Sequence, residues 1–307
     1  MNLFCTVLTY AAPSANYRGE SPDNRSVIQK ITKGRFEYAV ISPEAMRNAL
    51  REVFQEMKLP CNRRRLHDKE QLAVQFMDYP DQDKYIDDFF MGWLIAAKKA
   101  DREKISEEIK EKGRDAGRFT FKRDSILRMN IAVALEPYRH DSLFTQSPQN
   151  VDSPWKNAEG SQLLHRDVVH TAFQYPFALN LEECRHQADW TKALLKAIGE
   201  LHNVAGNHAR SYFEMAPASI VGRLTNRLVA GYDTYGFSLE GDRHSYPEVI
   251  EGILKDDYPG DEFYLGGKMI KDMPEDRIQE LKAKGVTLDR NAQRLLETLG
   301  EHAFATS

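Results

Sequence analysis

Arg47 and Arg51 stand four residues apart in the run SPEAMRNALREVFQEM, so on a helix both guanidinium groups project from one face. Like charges at that spacing cost an isolated helix a few tenths of a kcal/mol, which an anion lying across them would offset. The N-terminus of the same helix adds backbone N–H donors and a partial positive charge. Glu44 is the competing partner for Arg47, and on spacing alone the two readings stand level. Asn16-Tyr17-Arg18-Gly19 sets an amide, a stackable ring, a cation and a flexible backbone in succession. That set suits a single-stranded nucleic acid, although an ordinary surface turn also uses it. Gly206-Asn207-His208-Ala209-Arg210 is of the same kind: a glycine turn with a cation just before a strand.

Other chemistry finds no template. His202 and His208 lack the tight spacing of a metal site, and no HExxH is present, so no metal or other cofactor is expected. Gly266-Gly267-Lys268 lacks the upstream glycine and the Ser/Thr of a phosphate-binding loop. There is no GxSxG elbow and no GxGxxG. The lack of a legible catalytic set favours a binding role. Three scattered cysteines, Cys5, Cys61 and Cys184, offer neither a disulfide framework nor a CxxC pair, as in a reduced, cytoplasmic protein.

The 307 residues carry a net charge of −4, which argues against a nucleic-acid binder until the charge is zoned. Leu239–Ser307 holds 15 acidic and 9 basic residues, a net of −6, so the remaining 238 carry +2. Within that part, Arg18, Arg25, Lys30, Lys33 and Arg35 cluster against two acids, and Lys58, Arg63, Arg64, Arg65 and Lys69 against Asp68 alone. A phosphate backbone responds to such local patches, and an acidic tail beyond a Debye length need not cancel them. On charge alone, solvated surface remains the simpler account. The longest apolar stretch, Phe89–Ala97, is far short of a membrane span, and no basic residue precedes Arg18, so neither a span nor a secretory signal is expected.

These residues need elements to hold them. Residues 2–10 are predicted to form a buried strand and 35–41 a second. Ser42 and Pro43 announce a helix whose apolar stripe is Ala45, Met46, Ala49, Leu50, Val53, Phe54 and Met57. Residues 81–112 are predicted to be mostly helical. Period-two alternation marks strands at 126–135, with Arg128 and Asn130 opposite the apolar side chains, and at 168–179. The polar stretch 136–167 between them is predicted to protrude as a hairpin extension. Helices follow at 186–200, 274–284 and 290–299, with strand-like runs at 212–224 and 232–239. The order of elements predicts an α+β fold, a mostly antiparallel sheet with helices on one face.

Two stretches carry a family resemblance. SANYRGESPDNRSVIQKITKGRFEYAVISPEAMRNALRE resembles the N-terminal region of the DevR-type CRISPR-associated proteins, and VVHTAFQYPFALNLEECRHQADWTKALLKAIGELHNVAGNHARSYFEMAPASIVGRLTNR resembles their second half. The likeness covers roughly residues 1–240 and rests on the order of the polar loop, the Ser-Pro helix and the GNHAR turn more than on one diagnostic motif. It implies a modified RNA-recognition-motif (ferredoxin-like) palm with a helical insertion at 44–112, a thumb hairpin at 136–167 and an acidic C-terminal part, 240–307, packed on the palm. No aromatic RNP-like segment of an ordinary RNA-recognition motif is found.

The implied role is the repeated, non-catalytic backbone subunit of a type I Cascade complex. Its partners would be CRISPR RNA, the target DNA strand, other copies head to tail, and other Cascade subunits. The resemblance sets Asn16, Tyr17, Arg18 and Gly19 in the loop near RNA, Ser42, Arg47 and Arg51 on the helix that grips its backbone, and Gly206, Asn207, His208 and Arg210 on the turn lining the same groove. Arg25, Lys30, Lys33 and Arg64 are expected neighbours. Arg139, His140 and Lys156 fall in the thumb, where Leu143, Phe144 or Trp155 would wedge into the guide–target duplex. Related type III subunits cleave RNA with a loop aspartate. Asn24 at that position implies no cleavage, whereas Asp23 would make the chain a metal-dependent endoribonuclease. A regulator acting alone on DNA is the other alternative, and no helix-turn-helix supports it.

Overall fold

Local rules account for most of the first half of the chain. The computed structural model describes residues 1–14, 25–66, 73–146, 163–204 and 212–305. The apolar N-terminal run is strand β1 (Asn2–Leu8), followed by the short β2 (Ala12–Ser14), β3 (Arg25–Ser26), β4 (Lys30–Lys33) and β5 (Phe36–Ile41). Helix α1 (Pro43–Glu56) starts where Ser42 Oγ accepts the Ala45 N–H at 3.2 Å, with Pro43 in the first turn. It ends two residues before Lys58, whose φ of +60° turns the chain out of the helix. Met46, Ala49, Leu50, Val53 and Phe54 are buried, the predicted stripe. Then come β6 (Arg63–Leu66), β7 (Ala73–Phe76), α2 (Ile86–Met91), β8 (Trp93–Leu94), α3 (Lys99–Glu111) and β9 (Lys122–Arg123).

The predicted strand at 126–135 is two pieces, β10 (Arg128–Met129) and β11 (Ala132–Ala134). Both pair with β14 (Phe173–Asn180), but Met129 faces Phe177 whereas Val133 faces Gln174. Three residues on one strand therefore oppose two on the other, a β-bulge. Pro176 explains it. Its carbonyl accepts the Asn130 N–H at 3.1 Å, but proline has no N–H to return the bond. The bulge also inverts the alternation: Leu127 and Met129 are buried before it, Ala132 and Ala134 after it, and Ile131 and Val133 only partly. A single inward face of odd-numbered residues, the simple reading of the pattern, is thus wrong beyond Asn130.

Strands β12 (Asp141–Gln146) and β13 (Leu163–Thr171) make the expected hairpin, Asp141 opposite Val168 and Gln146 opposite Leu163. After β14 come α4 (Leu181–Cys184), α5 (Ala188–Gly199), β15 (Ser219–Thr225), β16 (Ser238–Glu240), β17 (Arg243–Ser245), α6 (Pro247–Leu254), β18 (Phe263–Gly267), α7 (Lys268–Lys271), α8 (Glu275–Ala283), β19 (Thr287–Asp289) and α9 (Ala292–His302). The run at 232–239 is therefore strand only at its end.

The palm is one sheet in the order β19-β18-β15-β1-β14-β11-β5-β4, with β10 also on β14, antiparallel except for β18 with β19. Leu3, Cys5, Val7, Tyr175, Phe177 and Ile220 face a core closed by α1, α5 and α9. Leu8, Val221, Phe263 and Leu265 face a second core under Tyr246, Val249, Ile253 and Leu281. Two expected boundaries change. Helix α1 is part of the palm core rather than the start of the insertion, and 81–112 holds the six-residue α2, the strand β8 and α3 rather than one long helical region. The acidic C-terminal part, expected to pack on the palm, also extends it: β18 and β19 join the sheet and α9 packs in its core. No helix among the described residues is long and apolar enough to cross a membrane.

Candidate nucleic-acid interface

Register along β1 fixes the two ends of the palm. Asn2 lies opposite Asn180 and Thr225, and Leu8 opposite Gln174 and Ser219. The thumb hairpin leaves at the Leu8 end, where β2 pairs with the base of β13 (Val169 opposite Ser14) and β3 runs beside it (His165 opposite Arg25). Asn16, Tyr17, Arg18, Gly19, Asp23 and Asn24 lie outside the described residues, but the strands on both sides of them are tied to β13. Gly206, Asn207, His208 and Arg210 also lie outside. The backbone before and after them is joined by bonds from Asn203 N to Phe213 O (2.8 Å) and Met215 N to Leu201 O (2.8 Å). Phe213 meets Phe173 edge-on, so the described backbone flanking 205–211 packs at the same end. Trp155 and Lys156 are likewise outside; Leu143 and Phe144 are well exposed on β12. Arg139 is exposed at the thumb base, and His140 lies 3.6 Å from Asp167.

The cations near this end differ in how free they are. Lys30 hydrogen-bonds Glu37 at 2.5 Å and sits 4.5 Å from the centre of the Tyr138 ring, so its charge is already partnered. Lys33 is exposed on the edge strand β4. Of Arg25 only the backbone is described, pairing in β3.

The two α1 arginines separate. Arg51 is 7% exposed, which removes it from any shared surface with Arg47. It donates to Asn48 Oδ1 at 2.5 Å and its Nε lies 3.5 Å from Asp87. Asp87 accepts the N–H groups of Asn62 (2.8 Å) and Arg63 (3.0 Å), while Asp88 takes the Asn62 amide at 2.7 Å. Arg63 lies 3.7 Å from Asp87 and 3.5 Å from Asp88, and its guanidinium stacks on Phe76. The basic loop CNRRR is thus half structural: Arg63 faces this buried network and Arg64 faces out. Burial, and then Arg63 nearby, lower the Arg51 pKa to about 10; burial raises that of Asp88. The expected anion site across both helix arginines is therefore corrected, because Asp87 occupies the second position.

Arg47 goes the other way. It donates to Leu127 O, just before β10, at 3.2 Å, while its buried Nε has no hydrogen-bond partner among the described residues. Its pKa is lowered by burial first, opposed by Glu44, with Arg128 and Arg63 lowering it further. Beyond it lies a groove of about 380 Å³ lined by Phe4, Arg47, Arg128, Met129, Asn130, Pro176, Ala178 and Thr234, with Cys5 and Phe177 behind. Arg128 has no side-chain hydrogen bond or ion pair among the described residues. Asn130 Oδ1 accepts the Ile131 N–H at 2.8 Å, leaving its amide nitrogen over. No carboxylate lines the groove, so it suits an anion beside an apolar surface. Arg128 and Asn130 were legible as the polar side of a strand, but not as partners of Arg47 eighty residues and more away.

Other polar pairs lead to no surface site. Ser219 Oγ is 2.9 Å from His244 Nδ1, but Ser219 is fully buried and caps the Met269 N–H. Burial lowers the His244 pKa to about 4. Gly267 has φ +86°, and a Cβ there would collide with the Ala218 carbonyl, so the Gly-Gly-Lys run serves packing. No cluster of three metal-ligating side chains occurs among the described residues.

No protein-family model matches the chain. A curated protein described as CRISPR-associated protein Cas7/Cst2/DevR, from Myxococcus xanthus, is 30% identical over 283 residues, 88% of this chain and 88% of that protein. A chain of a solved CRISPR RNA-guided surveillance complex is similar with a TM-score of 0.58 and 12% identity, over 99% of this chain and all of that one. A chain of such a complex in a pre-nicking state is similar with a TM-score of 0.58 and 13% identity over the same shares. At that identity the structural likeness speaks to the fold.

Proposed function

The chain belongs to the Cas7/Cst2/DevR family of CRISPR-associated proteins, and from that premise we propose that it is the RNA-binding backbone subunit of a CRISPR RNA-guided surveillance complex. The observation that carries the reading is the sequence likeness running through 88% of both chains. The geometry supports it with a palm, a protruding hairpin and a groove that holds two arginines and no acid.

In finer terms, the complex is of the type I Cascade class and this subunit does no cutting. Several copies line up head to tail along one CRISPR RNA, an open heterologous assembly with other Cascade subunits at its ends. Arg47 and Arg128 neutralise RNA phosphates, with Lys33, Arg64 and Arg139 as exposed contributors. Target DNA then pairs with bases that the protein leaves free, so sequence is read by pairing and the protein holds the thread.

Purification together with the products of neighbouring genes tests this. The expected result is a complex that carries RNA of uniform length, resistant to nuclease until protein is removed. A complex without RNA, or with RNA of random lengths, overturns it. Incubation with complementary RNA and Mg²⁺ tests the non-cutting role: cuts abolished by Asp23→Ala would make the chain a nuclease instead.

A further inference from the structure

We infer that the groove beside Arg47 seats one unstacked nucleobase of the bound RNA, with Phe4 as its stacking platform and Arg47 and Arg128 on the adjoining phosphate. This rests on the RNA-binding reading above and adds to it a base subsite on the open face of the palm.

The even-numbered side chains of β1 all point to the face away from α1, α5 and α9, yet they have different surroundings. Thr6 donates to Thr234 O at 3.1 Å, and Leu8 is fully buried in the second core. The covering layer built from residues 230–288 stops there, because Phe4 is only partly buried and faces the groove instead. An aromatic ring on a central strand, left open where the covering layer of the second face ends, is an arrangement on which a base can stack. No RNP-like motif announced it, because a single phenylalanine in an apolar strand looks like core. Pro176 and Ala178 continue the flat apolar floor on the neighbouring strand.

The rim supplies what a nucleotide requires and nothing that repels it. Arg47 Nε is buried without a partner, and Arg128 is exposed and unpaired among the described residues. The spare amide N–H groups of Asn130 can donate to a base edge or a ribose oxygen. About 380 Å³ is within the range of small-molecule pockets, enough for one base and sugar. A free mononucleotide presents the same chemistry, so the test must tell the two sources apart.

Ultraviolet cross-linking of the intact RNA-bearing complex, with mass spectrometry of the cross-linked peptides, gives the direct readout. The expected adduct is a single nucleotide on the N-terminal peptide at Phe4. Phe4→Leu keeps the apolar volume and removes the stacking face. It should abolish that adduct, expose a base to chemical probing and weaken RNA binding roughly 5- to 100-fold per site. Phe4→Trp should restore all three. An RNA-bearing wild-type complex with no adduct at Phe4 overturns the base subsite while leaving the RNA-binding reading intact; absence of RNA overturns that reading first. If Phe4→Leu fails to fold, the wild-type adduct alone decides. Titration of the RNA-free protein with adenosine and uridine monophosphates separates the other source: saturable binding there, lost in Phe4→Leu and without an RNA adduct, would make the groove a mononucleotide site and overturn the proposal.

Discussion

At Arg51 the guanidinium is met by a buried carboxylate, that of Asp87; one helical turn earlier, at Arg47, it is not. The two residues have the same side chain on the same helical face, and each has a polar residue three positions before it, Glu44 for Arg47 and Asn48 for Arg51, so the helix alone does not predict which is buried. Asp87 makes the difference, arriving from thirty-odd residues downstream at the start of a short helix and converting the second arginine into a structural tie between α1 and α2. Residue type and spacing state what chemistry is available. Long-range packing decides which copy of it remains unspent.

Removing Asp87 should have the largest effect, because it strands Arg51 and two backbone N–H groups in a buried place. Asp87→Ala is expected to lower unfolding free energy by about 3–5 kcal/mol, read from the urea midpoint at unchanged slope. An unchanged midpoint would mean that the two arginines are not differently employed. Arg63 and Arg64 offer a milder version of the same contrast, as neighbours on one strand facing opposite ways. Arg63→Ala should cost on the order of 2 kcal/mol and Arg64→Ala less than about 0.5 kcal/mol, by the same measurement. Equal costs would undo the assignment of an inner and an outer arginine. Smallest in stability, and the complement of the first, is the double variant Arg47→Ala with Arg128→Ala. It should unfold within about 1 kcal/mol of wild type but bind RNA with a salt slope lower by roughly 0.7 for each lost phosphate contact. A slope equal to that of wild type would remove the pair from the RNA surface.

Much of the scaffold was legible because its signals are local. Ser42 and Pro43 set the start of α1 and the apolar stripe set its buried face, and both stand as read. The hairpin expected at 136–167, from a long polar stretch between two alternating strands, overlaps the observed pairing of 141–146 with 163–168, although the second strand runs on to Thr171. What escaped depends on distant partners. The IDDFF run has the look of a solvated helix start, and only the fold brings Asn62 and Arg63 to it. FYLGG, with two glycines, gives little strand signal, yet β18 lies inside the sheet because Gly266 and Gly267 admit Leu295 and the Ala218 carbonyl at close range. Arg128 and Asn130 were visible as outward-facing. Phe4 was not, because nothing in an apolar strand reveals where a covering layer will end.

The bulge opposite Pro176 has a consequence for that groove. Had position 176 carried a donor, the ladder would have run on unbroken and the residues after Asn130 would have kept their original sides. Instead the missing hydrogen atom lets Ile131 turn its carbonyl to the Tyr235 hydroxyl at 2.7 Å, which moors the 232–237 segment against the sheet. Thr234, the wall facing Arg128, is carried on that segment. The width of the cleft is therefore metered by an atom the chain does not possess.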